Sequence, residues 1–249
     1  MYDNKLPNIK LSEICWEYLE ILKDVSYANA YTFFWSDQLE LVQEGIRRII
    51  PDLKGDWFRF KFHDKIVTFS ISDEAIRGYK PKIQEFSSFG TVVKMLGAYE
   101  NYVRKIAAIS NIEIPDKIED FITVHKIKPE DLNKKVMLHN FGRGIVFFIE
   151  IFGYNPHPSY IPSLQFFFEY RNVAVHNSGI VDERLLKAAN NEYININGEL
   201  KIGDIIYWNL DLCLQLNHLI ISILSELDPH VQSILKLPLI EKKAYWYHE

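Results

Sequence analysis

Cysteine is scarce in this sequence: Cys15 and Cys213 are the only two among 249 residues. That excludes a disulfide-stapled scaffold, and the apolar, helical surroundings of each predict buried free thiols. Long hydrophobic runs are missing too, since no stretch approaches the ~18 uninterrupted apolar residues that read as a membrane-crossing helix. Residues 1–10 lack the basic and apolar runs of a signal peptide. The expectation is a cytoplasmic protein with no membrane partner. There is no surplus of positive charge either, because 28 Lys and Arg stand against 33 Asp and Glu, a net charge of −5. Indiscriminate nucleic-acid binding needs a positive surface, so any RNA contact must be local.

Several catalytic signatures are also absent. Gly142-Arg143-Gly144 lacks the full glycine pattern and the preceding strand of a phosphate-binding loop. No Ser-centred nucleophile elbow, Walker motif or dinucleotide fingerprint occurs. The eight histidines form no close metal-ligand spacing, so neither a metal nor a cofactor is expected. His218, inside an apolar helical stretch, reads as a core residue.

What is present is an ordinary globular composition, 48% hydrophobic and 24% charged, in a chain long enough for one large domain or a domain with an extension. Helical periodicity dominates. Residues 12–34 form an apolar-sided helix with Ser12 as N-cap, and Ser36 can cap a second helix that Pro51 stops. Residues 57–62 and 66–71 are rich in aromatic and β-branched side chains and predict a β-hairpin. A lone hairpin is marginal in water, so a helix or a second subunit must cover it. Gly78 to Pro81 predicts a break before a helix over 86–110, whose apolar stripe includes Val92, Leu96, Tyr99, Val103 and Ile106. Glu100 falls on that stripe, where a carboxylate is costly to bury unless paired.

Pro115 and Pro129 divide residues 112–135 into short helices. Residues 144–152 are apolar almost all round and predict a buried helix. A proline-rich connection over 154–162 precedes an aromatic helix with Ser163 as its expected cap and Gly179 as its stop. Asp182 can cap a short helix. Asn197-Gly198 between residues 193–196 and 199–202 predicts a second hairpin. A long apolar helix over 205–227 then ends at Asp228-Pro229, and the aromatic tail Tyr245-Trp246-Tyr247 is expected to dock on the domain. The richest basic run lies between His125 and Arg143, with Lys126, Lys128, Lys134, Lys135 and Arg143 as candidate RNA contacts, against the plainer reading of a solvated helical face.

The chemistry concentrates at the end of the aromatic helix, in Arg171-Asn172, three residues, then His176-Asn177 and Gly179. This pattern resembles the active-site motif of HEPN (higher eukaryotes and prokaryotes nucleotide-binding) domains, as does the order of elements over residues 86–227. The resemblance implies a mainly α fold: a HEPN-like helical bundle over 81–249, with the small post-motif hairpin, after an N-terminal helical and hairpin extension over 1–80. It implies a metal-independent endoribonuclease of host defence or of a toxin–antitoxin pair, with an antitoxin or regulatory partner in the latter case. His176 would transfer protons, Arg171 would stabilise the phosphate and Asn172 would position groups, with Asn177 and Glu100 in support. HEPN domains often carry an acidic residue in the first core helix, so Glu100 is expected to hold Arg171, the alternative being that Glu100 sits at the edge of its stripe and reaches water. On a regular helix Arg171 and His176 project about 140° apart. Either His176 lies in a distorted last turn or the site is assembled across a homodimer axis, and the resemblance favours the dimer. The alternative is a non-catalytic module using the same groove to dimerise or to bind a nucleotide or a partner.

Overall fold

A computed structural model describes residues 8–49, 57–62, 65–70, 72–190, 192–194, 196 and 199–244. The chain opens with strand β1 (Asn8–Ser12) and helix α1 (Glu13–Asp37). Ser12 is the expected cap, its extended backbone letting the hydroxyl accept from the Cys15 N–H at 3.1 Å. Ser36 does not cap the next helix. It lies inside α1, donates to the Phe33 carbonyl at 2.8 Å, and α2 (Leu39–Ile49) begins only after Gln38. Strands β2 (Trp57–Phe62) and β3 (Lys65–Ser70) pair antiparallel, with Trp57 opposite Ser70, as their β-rich composition predicts.

The expected break at Gly78 to Pro81 is absent, for helix α3 runs unbroken over Asp73–Glu113 from its Ser72 cap. Pro81 removes only the hydrogen bond to the carbonyl four residues back, and both Pro81 and Arg77 face solvent, where water satisfies that carbonyl. The boundary expected at residue 80 therefore falls within a continuous helix. Cys15, Leu19 and Leu22 of α1 share one core with Val92, Leu96 and Tyr99 of α3. Each such aliphatic side chain, fully buried, contributes about 1.5–3 kcal/mol.

Pro115 starts α4 (Pro115–Val124) and Pro129 a 3-10 turn before α5 (Leu132–Lys135), each proline at a position whose N–H has no helical partner. Helix α6 (Ile145–Phe152) is largely buried, and Gly142, Arg143 and Gly144 before it all have positive φ. A Cβ on Gly144, at φ +102°, would lie 2.8 Å from Val103 Cγ1. Gly144→Ala is expected to destabilise by about 2–4 kcal/mol through left-handed strain and overpacking, read as a lower urea midpoint at unchanged m-value.

Helix α7 (Tyr160–His176) starts three residues before its expected cap, so Ser163 is an interior, buried residue and Pro162 sits harmlessly in the first turn. Asp182 caps α8 (Glu183–Ala189) as expected, accepting from Leu185 N–H at 2.9 Å. The hairpin expected over 193–202 forms no ladder among the described residues, and Asn197-Gly198 lies outside them. Ile194, Ile196 and Leu200 instead pack against the core, and Ile180 bridges Ile205.

Helix α9 (Leu210–Leu235) passes through Pro229 rather than ending at Asp228. Pro229 faces solvent, while Leu227, Asp228, Val231 and Leu235 continue the buried face. The helix has the length and composition to cross a membrane, yet Leu216, Ile220, Ile223 and Leu224 are buried in this core. His218 is exposed, not a core residue, because it falls on the outer face with Asp211 and Leu214. The last strand, β4 (Leu239–Lys243), pairs antiparallel with β1, Asn8 opposite Lys243, a ladder that no sequence signal announced. Above it, Asp228 accepts the Ser12 N–H at 2.6 Å, the Ser12 hydroxyl, and the Tyr102 hydroxyl at 3.4 Å. The tail over 245–247 lies outside the described residues. Cys15 and Cys213 are both free and buried.

Candidate active site

Helix α7 turns an aromatic face inward and a polar face outward. Phe166, Phe167, Tyr170 and Val173 are buried, and the Tyr170 hydroxyl donates to the Tyr207 carbonyl at 3.0 Å. The helix stops where glycine allows it to: Ser178 and Gly179 take φ of +54° and +77°, and the N–H groups of Asn177 and Gly179 both donate to the Val173 carbonyl at 3.0 Å. Asn177 Nδ2 fixes the turn by donating to the Ile180 carbonyl at 2.6 Å. His176 is thereby the last helical residue, exposed to solvent.

Five residues earlier the Arg171 guanidinium donates from Nη1 to Glu100 Oε1 at 3.1 Å, bringing together the pair the sequence suggests. Arg104 shares that carboxylate at 3.7 Å. Arg171 Nη2 donates to Asn172 Oδ1 at 3.4 Å, Asn172 Nδ2 donates to Glu169 Oε2 at 3.5 Å, and Glu169 Oε1 accepts from Arg143 Nη2 at 2.7 Å. The network sets three guanidinium groups against two carboxylates and so carries excess positive charge. Asn172 therefore orients Arg171 and Glu169; among the described residues no side-chain hydrogen bond joins it to His176.

Arg143 is not a free RNA contact. Its positive-φ backbone turns it inward, its side chain is 14% exposed, and its carbonyl accepts from the Tyr99 hydroxyl at 2.9 Å. Arg143 and Arg171 both lie over the Phe168 ring, 4.8 and 5.0 Å from its centroid. Burial pushes the Arg143 guanidinium below its ordinary value, with the charge of Arg171 adding to this and Glu169 opposing it. Lys126, Lys128, Lys134 and Lys135 are exposed and, among the described residues, make no contact with this network.

Two cations that sequence reasoning passed over stand closer. A cavity of about 440 Å³ beside α7 is lined by His139, Gln165, Glu169, Arg184 and Lys187. Gln165 and Glu169 share a helix face with Asn172 and His176, and Arg184 and Lys187 face it from α8, three residues apart. The usable signal was that spacing on a short helix with a clear cap. Among the described residues no group of three or more His, Cys, Asp or Glu side chains could hold a metal ion.

Comparison with protein-family models, with curated proteins and with solved structures finds no match for this chain.

Proposed function

We propose that this protein is a metal-independent endoribonuclease of the HEPN type, acting as a twofold dimer in defence or in a toxin–antitoxin pair. The observation that carries it is an arginine fixed by Glu100 and Asn172, on the same helix that exposes His176 at its end. In the reaction a histidine takes the proton of a ribose 2′-hydroxyl, and the 2′-oxygen bonds to phosphorus. The 5′-oxygen leaves and takes up a proton, which gives a 2′,3′-cyclic phosphate and a 5′-hydroxyl. Arg171 neutralises the charge growing on the phosphoryl oxygens with the donors that Glu100 and Asn172 leave free.

Helix geometry supports the dimer. Because α7 keeps helical bonding to its end, Arg171 and His176 stay about 140° apart and do not converge within one copy. A second motif helix supplies the missing partner across the axis. Val175, Ile205 and Tyr207 leave an exposed apolar rim around the motif that suits such pairing. A non-catalytic groove that binds a nucleotide or a partner is the second reading, favoured by the net charge of −5.

The test is incubation with a mixed pool of transfer and messenger RNA in excess EDTA. Fragments ending in 2′,3′-cyclic phosphate are expected by mass spectrometry, and intact RNA would favour the binding reading. Arg184 and Lys187 carry the approaching strand. Replacing both by alanine is expected to weaken RNA binding about tenfold at low salt and to reduce the salt slope of log K by about 1–2, as measured by fluorescence anisotropy across a salt series.

A further inference from the structure

Glu169 is the one acid on the α7 stripe that runs through Gln165, Asn172 and His176. It is also the one acid among the residues lining the cavity beside Arg184 and Lys187. A carboxylate in this place opposes a polyanion in two ways, for it repels the phosphates and competes with them for the cations they need. Cations stand on both sides of it. Toward the motif only the Asn172 amide separates it from Arg171, accepting from Arg171 Nη2 at 3.4 Å and donating to Glu169 Oε2 at 3.5 Å. Arg184 and Lys187 lie on the cavity side.

Arg143 answers this charge. Its Nη2 donates to Glu169 Oε1 at 2.7 Å, and with both side chains only 14% exposed the attraction is little screened by water and salt. The guanidinium is held from three directions. Nη1 donates to the Met137 carbonyl at 3.3 Å, the ring of Phe168 lies 4.8 Å away, and the Tyr99 hydroxyl holds the Arg143 carbonyl at 2.9 Å. The backbone that delivers it has φ of +57°, a left-handed conformation that a residue with a Cβ rarely adopts. An arginine so confined is aimed at Glu169 and away from any strand lying over the stripe.

We propose that Arg143 is a positioning residue that masks Glu169, which keeps Arg171 on one side and Arg184 and Lys187 on the other available to RNA phosphates. Its effect on cleavage rests on the ribonuclease reading, but the masking is measurable without cleavage. The test pairs kcat and KM for RNA cleavage with the salt dependence of binding to a single-stranded oligonucleotide whose 2′-methoxy groups prevent cutting. Arg143→Met should lower kcat about 10–100-fold with a smaller rise in KM. It should also reduce the salt slope of log K by about 0.7, the equivalent of one phosphate contact on a single strand. Arg143→Met/Glu169→Gln removes the mask together with the charge it masks and should regain most of both losses. An arginine of merely structural importance would not be rescued in this way. The double variant leaves no unpaired carboxylate, so it is expected to fold even if Arg143→Met alone does not, and circular dichroism would verify this. It then decides alone: a slope near that of wild type upholds the mask, and a lowered slope in the folded protein overturns it. Wild-type binding and cleavage by a folded Arg143→Met, or a double variant as impaired as the single one, would overturn it too. If wild type cuts nothing while the slope falls and returns across these variants, the ribonuclease reading fails and the mask stands. Cleavage by wild type with a slope unmoved in Arg143→Met would do the reverse.

Discussion

His176→Ala is expected to slow RNA cleavage by about 10²–10⁴-fold, the range for loss of one general acid or base, while leaving the fold untouched. His176 is exposed at the end of α7 and its side chain makes no hydrogen bond among the described residues, so its removal should move stability by no more than about 0.5 kcal/mol. Arg171→Ala should lose activity on the same scale but also some stability, since Glu100 would keep only the longer contact to Arg104 at 3.7 Å. These two variants also separate a composite site from a site within one chain. In a mixed dimer of Arg171→Ala with His176→Ala, one arginine and one histidine from different chains still face each other across the axis. Mixing two nearly inactive preparations should therefore restore measurable cleavage. No recovery after verified subunit exchange, or full activity from a wild-type monomer, would contradict the twofold site.

The second large effect lies far from the motif, at Asp228. This side chain is 1% exposed and accepts from the Ser12 N–H, the Ser12 hydroxyl and the Tyr102 hydroxyl. Asp228→Ala strands three buried donors at once and is expected to cost about 3–5 kcal/mol, a large part of the stability of an ordinary domain. Asp228→Asn should cost less, because the amide oxygen still accepts while its NH₂ opposes the Ser12 N–H. Comparing these proteins across pH gives a sign that is easily checked. Burial raises the Asp228 carboxyl above its ordinary value, outweighing the hydrogen bonds from Ser12 and Tyr102 that lower it. The folded state thus holds this proton more tightly than the unfolded chain does. The contribution is fully present below the ordinary aspartate value of about 3.9 and declines as pH rises through the raised native value. Urea midpoints from pH 4 to 7 should show the advantage of wild type over Asp228→Asn shrinking as pH rises. An advantage that grows with pH would rule the assignment out.

Much of this architecture was legible because local chemistry left few choices. Ser12 and Asp182 precede apolar periods and cap them; the stripe through Val92, Leu96 and Tyr99 admits only a helix facing a core. Glu100 on that stripe needed a cation, and Arg171 was the cation an aromatic helix offered. What escaped depends on relations that sequence spacing does not encode. Pro81 and Pro229 look like helix breakers, yet on the solvent side of α3 and α9 the lost bond is cheaply replaced. Arg143 reads as part of a basic run, but three consecutive positive-φ residues turn it under α7 onto Glu169.

The ladder between β1 and β4 has a consequence in time rather than in structure. Joining Asn8 to Lys243 closes a loop of almost the whole chain, among the most distant pairings this fold makes. The entropy of that closure is lost before its hydrogen bonds form, so the ends should meet only after α3, α7 and α9 have consolidated. Weakening this seam should then leave the folding rate nearly unchanged and act on how fast the native protein opens. The two strands work as a latch that sets the lifetime of the folded state more than the speed of reaching it.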